Sequence, residues 1–242
     1  MAKIITIANN KGGCGKTATA TAIAAGLAEQ GKRTLLVDTD AQANATISLR
    51  IPEKAADCYS LLQGISMQPA QIGANLWAIA SNKNMNVADM TIEAMEQGTA
   101  IATMLQPFVN EYDYIVIDTP PTLGLSLINA VYAADYILIP LQPSFYALQG
   151  MGNIMELLQK LNKMNNYGIV VTMYEHRKTL HRQMNETICE RYSNAVYSTR
   201  VRPNIAIGEA PTAGQTLFEY APKSNGAADY RAVIEELLQR LA

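Results

Sequence analysis

Short apolar runs alternate along the chain with segments of helical length. The runs are Ile4–Ala8, Thr34–Asp38, Leu76–Ala80, Tyr114–Asp118, Tyr136–Leu141, Ile169–Met173 and Ala195–Val201. Most are continuously apolar rather than alternating, the pattern of strands covered on both faces. Between them, Thr17–Gln30 is alanine-rich and stops at Gly31, and Leu148–Leu161 and Lys178–Tyr192 carry helical spacing. The last helix, Ala227–Leu241, sets Tyr230, Val233, Ile234, Leu237, Leu238 and Leu241 on one stripe. Strand–helix alternation of this kind predicts an α/β fold, a doubly wound and mostly parallel sheet with helices on both faces. No internal repeat or long linker interrupts it, so residues 1–242 read as one domain. The polar stretch Asn82–Glu96 is the least patterned and reads as loop plus helix.

Composition narrows the class. Hydrophobic residues make up 49% and charged residues 17%, enough apolar material for a core and too much for a disordered chain. Nineteen Lys and Arg stand against twenty-one Asp and Glu, a formal net charge of −2. That balance argues against a uniformly basic coat while leaving room for a local basic patch. Three cysteines, Cys14, Cys58 and Cys189, lie far apart without CxxC or metal-ligand spacing, which suits a reduced cytoplasmic protein. The N-terminus runs straight into a strand pattern without the features of a signal peptide. No apolar run approaches the ~18 residues of a membrane span, so no membrane partner is expected.

The strongest chemical signal is Lys11-Gly12-Gly13-Cys14-Gly15-Lys16-Thr17, placed after the first strand and opening the first helix. Backbone N–H groups and a helix N-terminus converge on phosphate at such a place. Gly12, Gly13 and Gly15 allow the backbone to curl close around anionic oxygens. Lys16 would neutralise β- and γ-phosphates, and the Thr17 hydroxyl would ligate Mg²⁺. Asn10 stands where the ordinary P-loop pattern has its first glycine, and a second lysine, Lys11, precedes the glycines. Two further runs end in acid: Leu35-Leu36-Val37-Asp38-Thr39-Asp40 and Tyr114-Ile115-Val116-Ile117-Asp118-Thr119-Pro120-Pro121. Ligands of open α/β sheets bind at the carboxyl ends of the strands, and an Asp there can hold Mg²⁺ directly or through water.

With these residues together, the sequence resembles the ParA/Soj branch of the P-loop ATPases with a deviant Walker A motif, a group that also includes MinD and the nitrogenase iron protein. The resemblance spans nearly the whole chain. It rests on Lys11-Gly12-Gly13-x-Gly15-Lys16-Thr17, and on Asp38-x-Asp40-x-Gln42 with Asn44-Ala45, where Ala41 replaces the usual proline. It rests also on Asp118-x-Pro120-Pro121 with Leu123-Gly124, Ile139-Pro140 with Tyr146-Ala147-Leu148 and Gly150, and Glu209-Ala210-Pro211. The resemblance implies an ATP-driven sandwich homodimer in which Lys11 reaches the phosphates of the partner's nucleotide. Asp40 would position the attacking water, Asp118 would hold the Mg²⁺ water shell, and Asp38 would contact lysine or metal-bound water. Cys14 fills a variable position of the loop and, with Ala18, completes the nucleotide-binding stretch. By the same analogy the adenine would lie near Met173 and around Pro203 and Asn204.

The resemblance also implies non-specific DNA of the nucleoid as a partner. His176-Arg177-Lys178 with His181 and Arg182 forms a basic cluster, and Arg200 and Arg202 form a second. A dimer doubles both, and each neutralised phosphate releases counterions. Many ParA proteins place Arg where this chain has Ala206, and Pro-Arg where it has Arg202-Pro203, so their DNA contacts at that place do not carry over. A ParB-like centromere-binding protein or a cargo adaptor would trigger hydrolysis. The competing reading is a MinD-like ATPase that cycles on membranes. The polar face of the last helix, with Glu235, Glu236, Gln239 and Arg240, suits packing on the domain better than anionic lipid. The electron-transfer role of the iron protein would need cysteines near the switch regions, where this chain has none.

Overall fold

The computed structural model describes residues 1–91 and 98–242. Of the stretch Asn82–Glu96, residues 82–84 form a turn and Met85–Thr91 a helix, and residues 92–96 lie outside the described residues. Eight strands form one sheet: β1 Lys3–Ile7, β2 Thr34–Asp38, β3 Ala70–Gly73, β4 Leu76–Ile79, β5 Tyr114–Asp118, β6 Tyr136–Leu141, β7 Tyr167–Val171 and β8 Val196–Arg200. Their order is β3-β4-β2-β5-β1-β6-β7-β8, parallel throughout except for the β3–β4 hairpin. The described helices are α1 Lys16–Glu29, α2 Asn44–Ser48, α3 Cys58–Leu62, α4 Met85–Thr91, α5 Ala100–Leu105, α6 Leu125–Ala133, α7 Phe145–Lys160, α8 Thr179–Tyr192, α9 Ile205–Ala213, α10 Leu217–Tyr220 and α11 Asn225–Leu241.

The continuous apolar runs have the cause assigned to them. Ile5, Ile7, Leu36, Val116 and Val170 pack with α1 and α11 on one face. Their strand neighbours Leu35, Val37, Ile115 and Ile117 pack with α3 and α5 on the other. Ile137, Ile139, Ile169 and Val171 continue that second face beneath α6, α7 and α8. Alternate residues of each strand point to opposite faces, so a strand covered on both sides must be apolar at every position.

Element ends differ from the sequence pattern for local reasons. Helix α7 starts at Phe145 because the Ser144 side chain accepts the Ala147 N–H as N-cap. Ser224 caps α11 in the same way. Strand β7 sits two residues earlier than the run Ile169–Met173 suggests, because Met173 has a positive φ of 54° and cannot continue a strand. Strand β3 carries no apolar run. It is a four-residue edge strand, half-buried, held by pairing to β4.

The register decides where the chemistry sits. Asp38 at the end of β2 lies directly opposite Asp118 at the end of β5, and Asp118 lies opposite Ile7, from which the glycine-rich loop departs. Strands β5 and β6 flank β1 on its two sides, so the loop leaves the sheet where the chain reverses its direction of build-out. That is the topological switch point at which open α/β sheets bind ligands.

Candidate nucleotide-binding site

The loop from Asn9 to Thr17 is tied down from inside. The Asn9 side-chain amide donates to Pro140 O at 2.7 Å, and its oxygen accepts the Lys11 N–H at 3.0 Å. The Lys16 ammonium, buried, donates to Lys11 O at 3.0 Å and so spans the loop. Gly13 and Gly15 adopt φ of 71° and 91°, a left-handed backbone that side chains resist. At Gly12, Gly13 and Gly15 an added Cβ would meet no protein atom within 4 Å. The space above them is open and no other part of the chain fills it. Cys14 is buried with its thiol donating to Lys11 O at 3.2 Å, and burial raises its pKa against the charge of Lys16. It is a packing thiol, not a reactive one.

A cavity of about 410 Å³ opens over this loop. Gly12, Gly13, Gly15, Lys16, Thr17 and Ala18 line one side, and Asp40 and Pro121 another. Met173 lines it as expected, but Pro203 and Asn204 do not. Asn204 is committed elsewhere, its side chain accepting the Ala206 N–H as the N-cap of α9. The apolar wall in that direction comes instead from Ile207, Ala210, Pro211 and Leu217, with Gln215 beside them. The triplet Glu209-Ala210-Pro211 was the sequence signal for this wall, visible as a motif without a role.

The two opposed carboxylates face different surroundings. Asp118 is fully buried and neither carboxylate oxygen has a hydrogen-bond partner of regular geometry. Burial pushes its pKa well up, the charge of Asp38 adds to this, and the Thr17 hydroxyl and Lys16 ammonium oppose it. Asp38 is equally buried but well bonded. It accepts the Asp40 N–H at 3.1 Å, the Thr46 N–H at 2.9 Å and the Thr46 hydroxyl at 2.8 Å. Burial still outweighs these bonds and pushes its pKa up to about 6. Of the metal residues named from the sequence, Asp118 thus keeps oxygens without a regular partner, with Thr17 beside it, whereas Asp38 holds three bonds from its own chain. Asp40 is buried at the cavity edge with one oxygen accepting the Gln42 N–H at 3.0 Å.

Lys11 turns away from its own loop, its ammonium donating to Ser144 Oγ at 3.2 Å. Beside it Phe145 and Tyr146 form an edge-to-face pair and are 66% and 74% exposed.

The basic residues are brought together but mostly spoken for. Tyr174, His176, Arg177, Arg200, Arg202 and Pro203 surround a shallow depression. Arg202 is bound twice by Asp229, at 2.6 and 3.0 Å. Arg200 donates to Asn185 Oδ1 at 2.6 Å and to backbone carbonyls of its own strand, Tyr197 O among them. Lys178 pairs with Glu175 at 2.5 Å and precedes α8 rather than lying in it. Arg182 donates to His176 O and Thr179 Oγ1. Among the described residues Arg177, Arg182 and Arg200 have no ion pair to a carboxylate. Arg202 and Lys178, named from the sequence with the DNA-facing cluster, each pair with a carboxylate of the chain.

A glycine loop between a parallel strand and a helix, a buried lysine across it, and a bare aspartate at the neighbouring strand end define a P-loop nucleotide-binding protein. Comparison with known proteins agrees. The model of the AAA domain family matches residues 2–171. The chain is 34% identical to the chromosome-partitioning ATPase Soj of Thermus thermophilus over 242 residues, 98% of this chain and 96% of that one. The plasmid partition protein of Borrelia burgdorferi B31 bound to AMPPNP has the same fold, with a TM-score of 0.87 at 24% identity, covering 99% of this chain and 100% of that one. Cobyrinic acid a,c-diamide synthase of Mycobacterium smegmatis with bound ATP analog and magnesium superposes with a TM-score of 0.83 at 26% identity, covering 100% of this chain and 96% of that one. The chain belongs to the ParA/Soj family of P-loop ATPases.

Proposed function

We propose that this protein is an ATP-dependent partition or positioning ATPase that dimerises on ATP, binds non-specific DNA and is released by hydrolysis. One observation carries the reading: a cavity lined by three glycines and a buried lysine, with the buried Asp118 carboxylate, its oxygens without a regular hydrogen-bond partner, at the end of the strand paired beside that loop's strand. An uncompensated buried carboxylate is costly unless a cation completes it. Thr17 and Asp118 would hold Mg²⁺, and the loop amides with Lys16 would take the phosphates. The metal ion supplies charge neutralisation at the β- and γ-phosphates. The apolar wall of Ile207, Ala210, Pro211 and Leu217 suits the flat face of a base. The Soj and M. smegmatis names support ATP and Mg²⁺ as the ligands.

Asp40 borders the cavity and is the group to orient the attacking water. Hydrolysis of this kind is mostly positioning and electrostatics. Asp40→Ala should therefore bind ATP with a Kd within about threefold of wild type and lose turnover by roughly 100-fold or more, the scale of one general-base contribution. Wild-type turnover would remove Asp40 from the role. Lys11, parked on Ser144 rather than on its own loop, supports action on the nucleotide of a second copy, and a ParB-like protein or cargo adaptor would stimulate the dimer.

DNA would lie against Arg177, Arg182 and Arg200 of both protomers. The test is DNA retention with ATP, ADP or no nucleotide across a salt series. ATP-specific retention supports the reading, and ATP-dependent capture on liposomes instead would favour the MinD-like alternative. Among the described residues no helix is long and apolar enough to cross a membrane. Arg177→Glu with Arg182→Glu should weaken retention and flatten its salt dependence by about 0.9 for each phosphate no longer neutralised, with basal ATPase kept. Unchanged retention would discard that surface.

A further inference from the structure

The Asp38 carboxylate closes a loop on itself. Its Oδ1 accepts the N–H of Asp40, two residues on, and its Oδ2 accepts the N–H and the hydroxyl of Thr46, eight residues on. Everything between, Asp40 included, is strung between those two points. The Thr46 hydroxyl is itself oriented. Its oxygen accepts the Ser81 N–H at 2.8 Å, so its single proton is directed to Asp38. Ser81 follows β4, and its neighbour Ala80 is locked to Ala56 and Cys58 by backbone bonds of 2.8 and 2.9 Å. One threonine thus ties the Asp40 loop to a rigid strand end as well as to Asp38.

We propose that Thr46 is a positioning residue for ATP hydrolysis, holding through Asp38 the loop that carries Asp40. The proposal rests on the role given to Asp40 above. The hydrogen bonds of Thr46 run to Asp38, Ser81 and Ile51 and none to the glycine loop or Asp118, so its loss should act on turnover and not on nucleotide affinity. A valine has the same shape but can neither donate to Asp38 nor accept from Ser81. A serine keeps both bonds. Losses on removing the partner of a functional carboxylate run about 10–100-fold.

The experiment measures kcat and ATP Kd for wild type, Thr46→Val, Thr46→Ser, Thr46→Ala and Asp40→Ala, with hydrogen exchange of the Asp40 amide in the nucleotide-free protein. Thr46→Val should lower kcat about 10–100-fold with Kd within about twofold. It should speed exchange at the Asp40 amide, and Thr46→Ser should restore both values to within about threefold of wild type. If Thr46→Val does not fold, Thr46→Ala takes its place with the same expected losses. A kcat within twofold of wild type in the folded variant overturns the proposal, as does a parallel loss in Kd or failure of serine to rescue. Active Asp40→Ala would instead strike the Asp40 reading. Inactive Asp40→Ala with a wild-type Thr46→Val would strike the Thr46 proposal alone.

Discussion

Lys16→Ala should lose nucleotide binding. The Lys16 ammonium is buried beside the glycine loop and bonded to Lys11 O, with Asp118 close enough to feel its charge. Its replacement removes the only buried cation that the described residues bring to the cavity lining, and with it the cross-brace of the loop. With phosphate as the proposed partner of Lys16, truncating one side of that buried charge pair costs about 2–5 kcal/mol, which is roughly 30-fold to several thousandfold in Kd. Titration with a fluorescent ATP analogue checks it. Ordinary affinity in the variant would mean that the loop is not the phosphate site.

Asp118→Asn should raise the stability of the nucleotide-free protein while abolishing Mg²⁺-dependent turnover. The wild-type carboxylate is buried without a regular partner and faces Asp38 across one ladder rung. Its raised pKa and that of Asp38 fix the sign of the pH dependence. The folded state holds these protons more tightly than the unfolded chain does, so the contribution of these two groups to stability is fully present below about pH 4 and is lost as pH rises through the folded pKa values. For Asp38, from 3.8 to about 6, the loss is on the order of 3 kcal/mol. Wild-type protein without metal or nucleotide should therefore melt higher at pH 5 than at pH 7.5. The asparagine variant should flatten that difference and melt above wild type at pH 7.5. Mg²⁺ with ATP should rescue wild type at neutral pH and leave the variant unmoved, and turnover should drop by more than about 100-fold, beyond the usual cost of a mere supporting partner. A variant that melts below wild type at neutral pH would show the carboxylate to be compensated already.

The phosphate loop was legible because everything that defines it is local. Glycines, lysines and a hydroxyl fall within seven consecutive residues between a strand pattern and a helix pattern. Asp38 and Asp118 were legible for a related reason, since each ends an apolar run and the parallel sheet collects strand ends on one side. The basic patch was legible as composition but not as charge. Arg202 finds Asp229 twenty-seven residues away, and Arg200 turns back onto carbonyls of its own strand. The cavity wall expected from Pro203 and Asn204 is built instead by Ile207, Ala210 and Pro211, and Asn204 is used as a helix cap.

Residue order alone was enough for the class of fold, the anion loop and the acidic strand ends, since hydrophobic period and turn chemistry act over a few neighbouring positions. Which carboxylate stays without a regular partner and which takes three bonds from its own chain required the folded chain. Thr46 meets the Ser81 N–H thirty-five residues away, and only the β2–β4 pairing brings those strand ends side by side. A hydrogen bond acts over about 3 Å, so its partners depend on strand order and register, which no short stretch of sequence encodes.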